Sequence, residues 1–134
     1  MAVEYIALEQ TVEPGANVVF ASSIPECGTR GIRRRAGSGI VSIIGGNCGV
    51  QRIARFMGNI AIPTGGTVGE ISAAITLDGE PLAASEMIVT PAAVEQFFNV
   101  AGQALFLSGC CCDSIAVRNT SDQAITVSGN LIVE

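Results

Sequence analysis

Apolar residues in this chain come in short runs separated by Gly, Pro, Asn and Asp, with little sign of helical period. Residues 3–8 form a β-prone run whose strand is closed by Glu13-Pro14-Gly15, and residues 17–20 form another. Residues 39–44 lie between Gly37-Ser38-Gly39 and Gly45-Gly46-Asn47, and residues 51–62 end at Pro63-Thr64-Gly65-Gly66. In Ile71–Leu77 the alternation is clean: Ile71, Ala73, Ile75 and Leu77 face one way, Ser72, Ala74 and Thr76 the other. Asp78-Gly79 then supplies a hairpin turn. Residues 104–107, 114–119 and 124–133 complete the set; in the last, Ile125, Val127, Leu131 and Val133 share a face. Short runs at roughly 8–12 residue spacing with turn residues between them predict an all-β sandwich or barrel. Residues 90–101 are the ambiguous stretch. Thr90 suits a helix cap, Pro91 a first helical position, and Val94, Phe97, Phe98 and Ala101 fall at helical spacing. Val94, Phe98 and Val100 suit a strand equally well.

Composition narrows the function. The 134 residues fit one domain, 1–134. Only 14% are charged while 49% are hydrophobic, against about 25% charged in an average soluble domain. No run reaches the roughly 18–20 apolar residues that a membrane-spanning helix needs. Burial of one face against further copies of the chain is then the expected cause of the low charge. There is no His, and all seven cationic side chains are Arg. Catalysis through a histidine base, histidine metal sites and lysine Schiff bases are excluded, and no enzyme activity is expected. A net charge of −5 argues against nucleic acid as a partner.

Several segments carry a family resemblance. Residues 59–80, Asn-Ile-Ala-Ile-Pro-Thr-Gly-Gly-Thr-Val-Gly-Glu-Ile-Ser-Ala-Ala-Ile-Thr-Leu-Asp-Gly-Glu, resemble small bacterial and phage jelly-roll proteins. These are similar to the trimeric heads of tumour-necrosis-factor and complement-type proteins. Residues 12–20 resemble the first turn and strand of that family, and residues 125–133 its closing strand. Cys110-Cys111-Cys112 followed by residues 114–119 resembles a Cys-rich approach to a strand in Firmicutes members. The resemblance implies a single-domain antiparallel jelly-roll sandwich, homotrimeric, with a surface or virion role and no cofactor. Members occur as phage virion components and as heads of collagen-like spore-surface proteins, but no Gly-X-Y stalk is present here. The N-terminal Met1-Ala2-Val3-Glu4-Tyr5 lacks a basic and apolar export signal. The expectation is therefore a non-enzymatic bacteriophage virion protein, a capsid decoration or head-fibre component assembled in the bacterial cytoplasm. Its expected partners are itself and the major capsid protein or another virion protein, with host surface a further one; neither nucleic acid nor membrane is expected. The alternative is an adhesin binding host glycan or cell-surface ligands, or a spore-surface head.

Candidate site residues fall into three groups. Arg30, Arg33, Arg34 and Arg35 are the densest charge in the chain. Guanidinium groups bind carboxylate and phosphate bidentately, so the cluster suits docking onto an acidic capsid surface. A solvated loop, or Arg–Glu pairs between subunits, explains it as well, and a strand here would split Arg33 and Arg34 between faces. Phe97 and Phe98 are candidates for trimer packing, while Phe20, Phe56 and Phe106 read as core. Cys27, Cys48, Cys110, Cys111 and Cys112 leave three readings open. They are disulfides within or between subunits, a metal site using Cys110 and Cys112 from one strand face, or thiols packed as small hydrophobes. Asp78 and Glu80 read as a hairpin tip, since no calcium-loop spacing surrounds them.

Overall fold

A computed structural model describes residues 2–24, 31–34, 38–44, 49–107 and 112–134 of the chain. In chain order the strands are β1 (Val3–Val12), β2 (Ser22–Ile24), β3 (Ile32–Arg34), β4 (Val41–Ile43), β5 (Gln51–Ala61) and β6 (Ile71–Leu77). They continue with β7 (Glu80–Pro81), β8 (Met87–Val89), β9 (Phe98–Leu107), β10 (Asp113–Asn119) and β11 (Ile125–Val133). A single 3-10 turn, Ala83–Ser85, interrupts them. Two antiparallel sheets result. The first has the order β2-β1-β11-β5-β9; the second has the order β3-β4-β10-β6-β7, with β8 also paired to β6. First and last strands lie side by side, which is the closure of a jelly roll.

The core lies between the sheets. Tyr5, Phe56, Ile60 and Leu131 of the first sheet face Ile43, Ile75, Ile115 and Val117 of the second. Phe20 joins them from the loop after β1, its ring centroid 5.9 Å from that of Tyr5. Mid-sheet, Gly58 and Gly129 pair across β5 and β11. A Cβ on Gly58 would stand 2.1 Å from the Ser128 carbonyl oxygen, and one on Gly129 would stand 2.4 Å from that of Met57. The tip of the Phe56 ring lies over both glycines, filling the space side chains would take.

The sequence pattern and the structure part in three places. Residues 90–97 form no helix, and Phe98 opens β9. Glu95 adopts φ 60°, donates its N–H to the Ile62 carbonyl, and takes the Thr64 N–H and Oγ1 on its carboxylate at 3.0 and 2.9 Å. The groups that would close a helical turn are spent on the β5–β6 loop instead. Residues 17–20 form only a bridge between Asn17 and Arg118, although Val18 and Phe20 are buried. Finally, both faces of β6 are buried: Ser72, Ala74 and Thr76 are nearly as enclosed as Ile71 and Ile75. Small side chains sink between neighbouring strands, and the two hydroxyls are satisfied by Thr120 Oγ1 and the Ala116 carbonyl. At Asp78-Gly79 the expectation holds. Positive φ at both residues makes the tight hairpin turn, which is pinned to β10 by Asp78 Oδ1 accepting the Ser114 N–H at 2.9 Å.

Candidate self-association face

The register of the first sheet determines which side chains leave the sandwich together. Residues directly opposite share a face, so Glu4, Ile132, Arg55 and Gln103 form one outward row. Ile6, Asn130, Met57 and Ala101 form the next, and Ile53 and Leu105, then Gln51 and Leu107, extend the face toward one end. Ile24 stands beside Glu4 from β2. Met57 is 53% exposed, Leu105 63% and Leu107 66%. Leu8, at the irregularity where β1 slips against β11, is equally open.

Polar side chains are interleaved with the apolar ones: Glu4, Arg55, Gln103, Asn130 and Gln51 stand in these rows, and Ser128, Asn59 and Asn99 form the row beyond Met57. Asn130 Nδ2 donates to Glu4 Oε2 at 2.8 Å, and Arg55 Nη1 lies 3.6 Å from Glu134 Oε1. The ion pair is about half exposed on both sides and holds little energy. The face runs on into a groove of about 520 Å³ lined by Ile53, Leu82, Ala83, Ala84, Gln103 and Leu105. A second groove of about 320 Å³ shares Ala84 and Gln103 with it and reaches Arg55 and Met57. Both suit apolar side chains from another surface; among the described residues they gather no acid–base pair. At the far end of the sandwich, loop depressions are lined by Thr67 and Gln123. There the Gln123 amide is spent on the Thr67 backbone, accepting its N–H at 2.9 Å and donating to its carbonyl at 2.6 Å.

Of the residues singled out in the sequence, Arg33, Arg34, Phe97, Phe98 and Cys112 are among those described. Arg30, Arg35, Cys27, Cys48, Cys110 and Cys111 lie outside the described residues. Arg33 faces outward opposite Ser42, whereas Arg34 stands opposite the fully buried Val41. It is close enough to Tyr5 for its charge to pull the phenol pKa down against the stronger upward push of burial. The strand thus sends these two arginines to opposite faces. Phe97 is exposed, while Phe98 is half-buried opposite the buried Ile60. Cys112 carries a free, exposed thiol just before β10. The outward apolar residues were not singled out in the sequence, although a signal exists. Tyr5-Ile6-Ala7-Leu8 and Ala104-Leu105-Phe106-Leu107 are apolar in both phases of the strand repeat, so one phase must point away from the core.

No protein-family model and no curated protein matches the chain. Solved structures do. Eiger TNF from S. frugiperda is 10% identical, with TM-score 0.73 over 99% of this chain and 90% of that one. Murine APRIL is 12% identical, with TM-score 0.67 over 98% and 96%. The globular domain of zebrafish complement 1qA protein is 9% identical, with TM-score 0.63 over 96% and 94%. At such identities the likeness is one of fold, and it extends along nearly all of each chain. The chain has the jelly-roll fold of tumour-necrosis-factor and complement-type heads.

Proposed function

We propose that this chain is a non-enzymatic, homotrimeric head module that acts by shape, as a structural protein of a phage virion seated on the capsid surface. The observation that carries self-association is the outward face of the first sheet. Met57, Leu105 and Leu107 are more than half exposed on one continuous surface, in a chain with too few charges to keep such a surface in water. The flat face and the groove beside β9 are different patches. A two-fold contact of face on face leaves the groove open; edge on face, repeated around a ring, covers both. The virion and the capsid partner rest on the sequence resemblance of residues 59–80 and 110–119 to phage members of the jelly-roll group. Arg33, outward on β3, is available to an acidic capsid surface.

Light scattering on the eluting protein tests the assembly. A trimer mass is expected at micromolar concentration, falling to a monomer in Met57→Glu/Leu107→Glu. The control, Ser114→Glu on the outward face of the second sheet, stays a trimer. A wild-type monomer would sink the assembly. Mass spectrometry of purified particles tests the virion: absence of the chain from them removes that assignment and leaves the trimer standing.

A further inference from the structure

We infer that residues 82–86, the strap containing the 3-10 turn, guard the free edge of β9 and so prevent copies of the chain from joining sheet edge to sheet edge. This deepens the self-association reading, because it selects which surfaces of two copies can meet.

The liability is plain in the topology. β9 pairs with β5 without a break from Phe98 to Leu107, and among the described residues its other side has no partner strand. The remaining edges, β2, β3, β7 and β8, are two or three residues long. A long, regular, unpaired edge is a template for another strand. An added strand must lie about 4.8 Å from β9. The strap runs past this edge: Ala84 borders one groove with Ala101, Gly102 and Gln103 and the other with Gln103 and Leu105, so a strand added here meets it.

Both ends of the strap are built into the fold. On the second sheet, Ser85 is 1% exposed, and its hydroxyl accepts the Ile75 N–H at 2.9 Å. The same hydroxyl has the Leu82 and Ile75 carbonyls at 2.7 and 3.2 Å as acceptors for its one proton. It thereby serves the Ile75 backbone where the pairing of β6 passes from β7 to β8. On the first sheet, the seat is Gly102. A Cβ there would stand 2.5 Å from the Ser85 carbonyl oxygen and 3.1 Å from Met87 Cγ, so only glycine lets the strap lie this close. Among the described residues, the strap's backbone hydrogen bonds run to Ile75 and within the strap, and none runs to β9. The guard works by standing in the way of a strand without pairing as one.

The test uses the full chain in two backgrounds, wild type and Met57→Glu/Leu107→Glu, each with and without Ser85→Ala. Sedimentation velocity is run over about a hundredfold range of concentration. With the strap unfastened, species larger than the parent appear and grow with concentration in the Met57→Glu/Leu107→Glu background, where no ring covers the β9 edge. If the Ser85→Ala protein in that background keeps a cooperative urea transition and shows the same discrete mass as its parent throughout, the guard is refuted. Should Ser85→Ala fail to fold, Gly102→Ala, which pushes the strap off its seat from the other side, is read in the same way. In wild type with neither variant, hydrogen exchange gives a further reading: residues 82–86 must open at higher free energy than the exposed loop at residues 92–96, or the strap is no guard. If Met57→Glu/Leu107→Glu alone leaves the mass unchanged, the face proposal fails while growth on opening the strap still decides this one.

Discussion

Asn119 offers the sharpest test of how the two sheets are tied together. Its side chain is fully buried at the end of β10. Nδ2 donates to the Val12 carbonyl at 2.9 Å and to the Gln123 carbonyl at 2.8 Å. Oδ1 accepts the Ser121 N–H at 2.9 Å and also the Ser121 hydroxyl. One amide thus holds the end of β1 in the first sheet, the end of β10 in the second, and the turn leading into β11. Asn119→Leu keeps the branched shape and the number of heavy atoms, is bulkier by its two methyl groups, and removes all four bonds. The Val12 carbonyl becomes a buried orphan, costing about 1–3 kcal/mol, and the part-buried Gln123 carbonyl and Ser121 N–H add about half as much each. The sum is about 2–6 kcal/mol, a large share of the roughly 5–15 kcal/mol of a whole domain. Asn119→Asp is worse, because it buries a negative charge and turns a carboxylate oxygen toward the Val12 and Gln123 carbonyls. Urea unfolding at one fixed protein concentration measures this, since association makes stability concentration-dependent. A loss under about 1 kcal/mol for Asn119→Leu, with unchanged slope, would refute the reasoning.

Three further outcomes follow from the same geometry. The Tyr5 hydroxyl is buried with no hydrogen-bond partner, so Tyr5→Phe is expected to raise stability by about 1 kcal/mol in urea unfolding at neutral pH. Burial raises the Tyr5 pKa above 10.0, with Arg34 opposing; the folded state therefore holds the proton more tightly, and its contribution, full below pH 10, is lost as pH climbs toward the folded pKa. Tyr5→Phe flattens that alkaline limb of the stability profile. Gly129→Ala forces a Cβ to within 2.6 Å of Gly58 Cα and is expected to cost about 2–3 kcal/mol, read as a lower urea midpoint. Self-association through Met57, Leu105 and Leu107 is expected to persist or tighten in molar sulfate, by sedimentation, whereas an ion-pair interface loosens as salt rises.

What could be read from sequence was local. Asp78-Gly79 announced its turn because the backbone conformation is set by two adjacent residues. The strand phases of β6 and β11 were legible because alternation is local too. Residues 90–97 were not, because the groups that decide them are Ile62 and Thr64, some thirty positions away. The short strands β2 and β3 were missed because three residues carry no period. The outward phase of β6 was read correctly as outward and still proved buried, since Ser72, Ala74 and Thr76 are too small to rise above their neighbours. The candidate face was legible only as a failure of alternation in β1 and β9. That signal says a second surface is apolar without saying that β1, β5 and β9 lie in one sheet.

The two outward faces of the sandwich are the argument that low charge has a location. A chain that was merely hydrophobic would show Leu, Ile and Met on both. The outward side of the second sheet is made of Ser42, Ser114, Ala116, Thr76, Ala74 and Ser72, with Arg33 and Arg118 set among them. Its large apolar exceptions are Ile88, on the short edge strand β8, and Ile40 and Ile44, which flank β4 in the phase of Ser42. The first sheet instead presents Ile6, Met57, Leu105, Leu107 and Ile132, with Glu4, Arg55, Gln103, Asn130 and Gln51 set among them. Burying a Leu or Met side chain fully is worth about 1.5–3 kcal/mol, so completing the burial of three side chains already half buried yields about 3–5 kcal/mol per contact surface. In a face-on-face contact both copies contribute, about 6–10 kcal/mol gross, and the roughly 4 kcal/mol or more of lost translational and rotational freedom leaves this below the roughly 8 kcal/mol of a micromolar complex. A face-only contact is therefore too weak, and the apolar groove beside β9 has to be covered in the same event. This is why an edge-on-face ring, which covers both surfaces in every copy, fits the molecule better than a pair of faces.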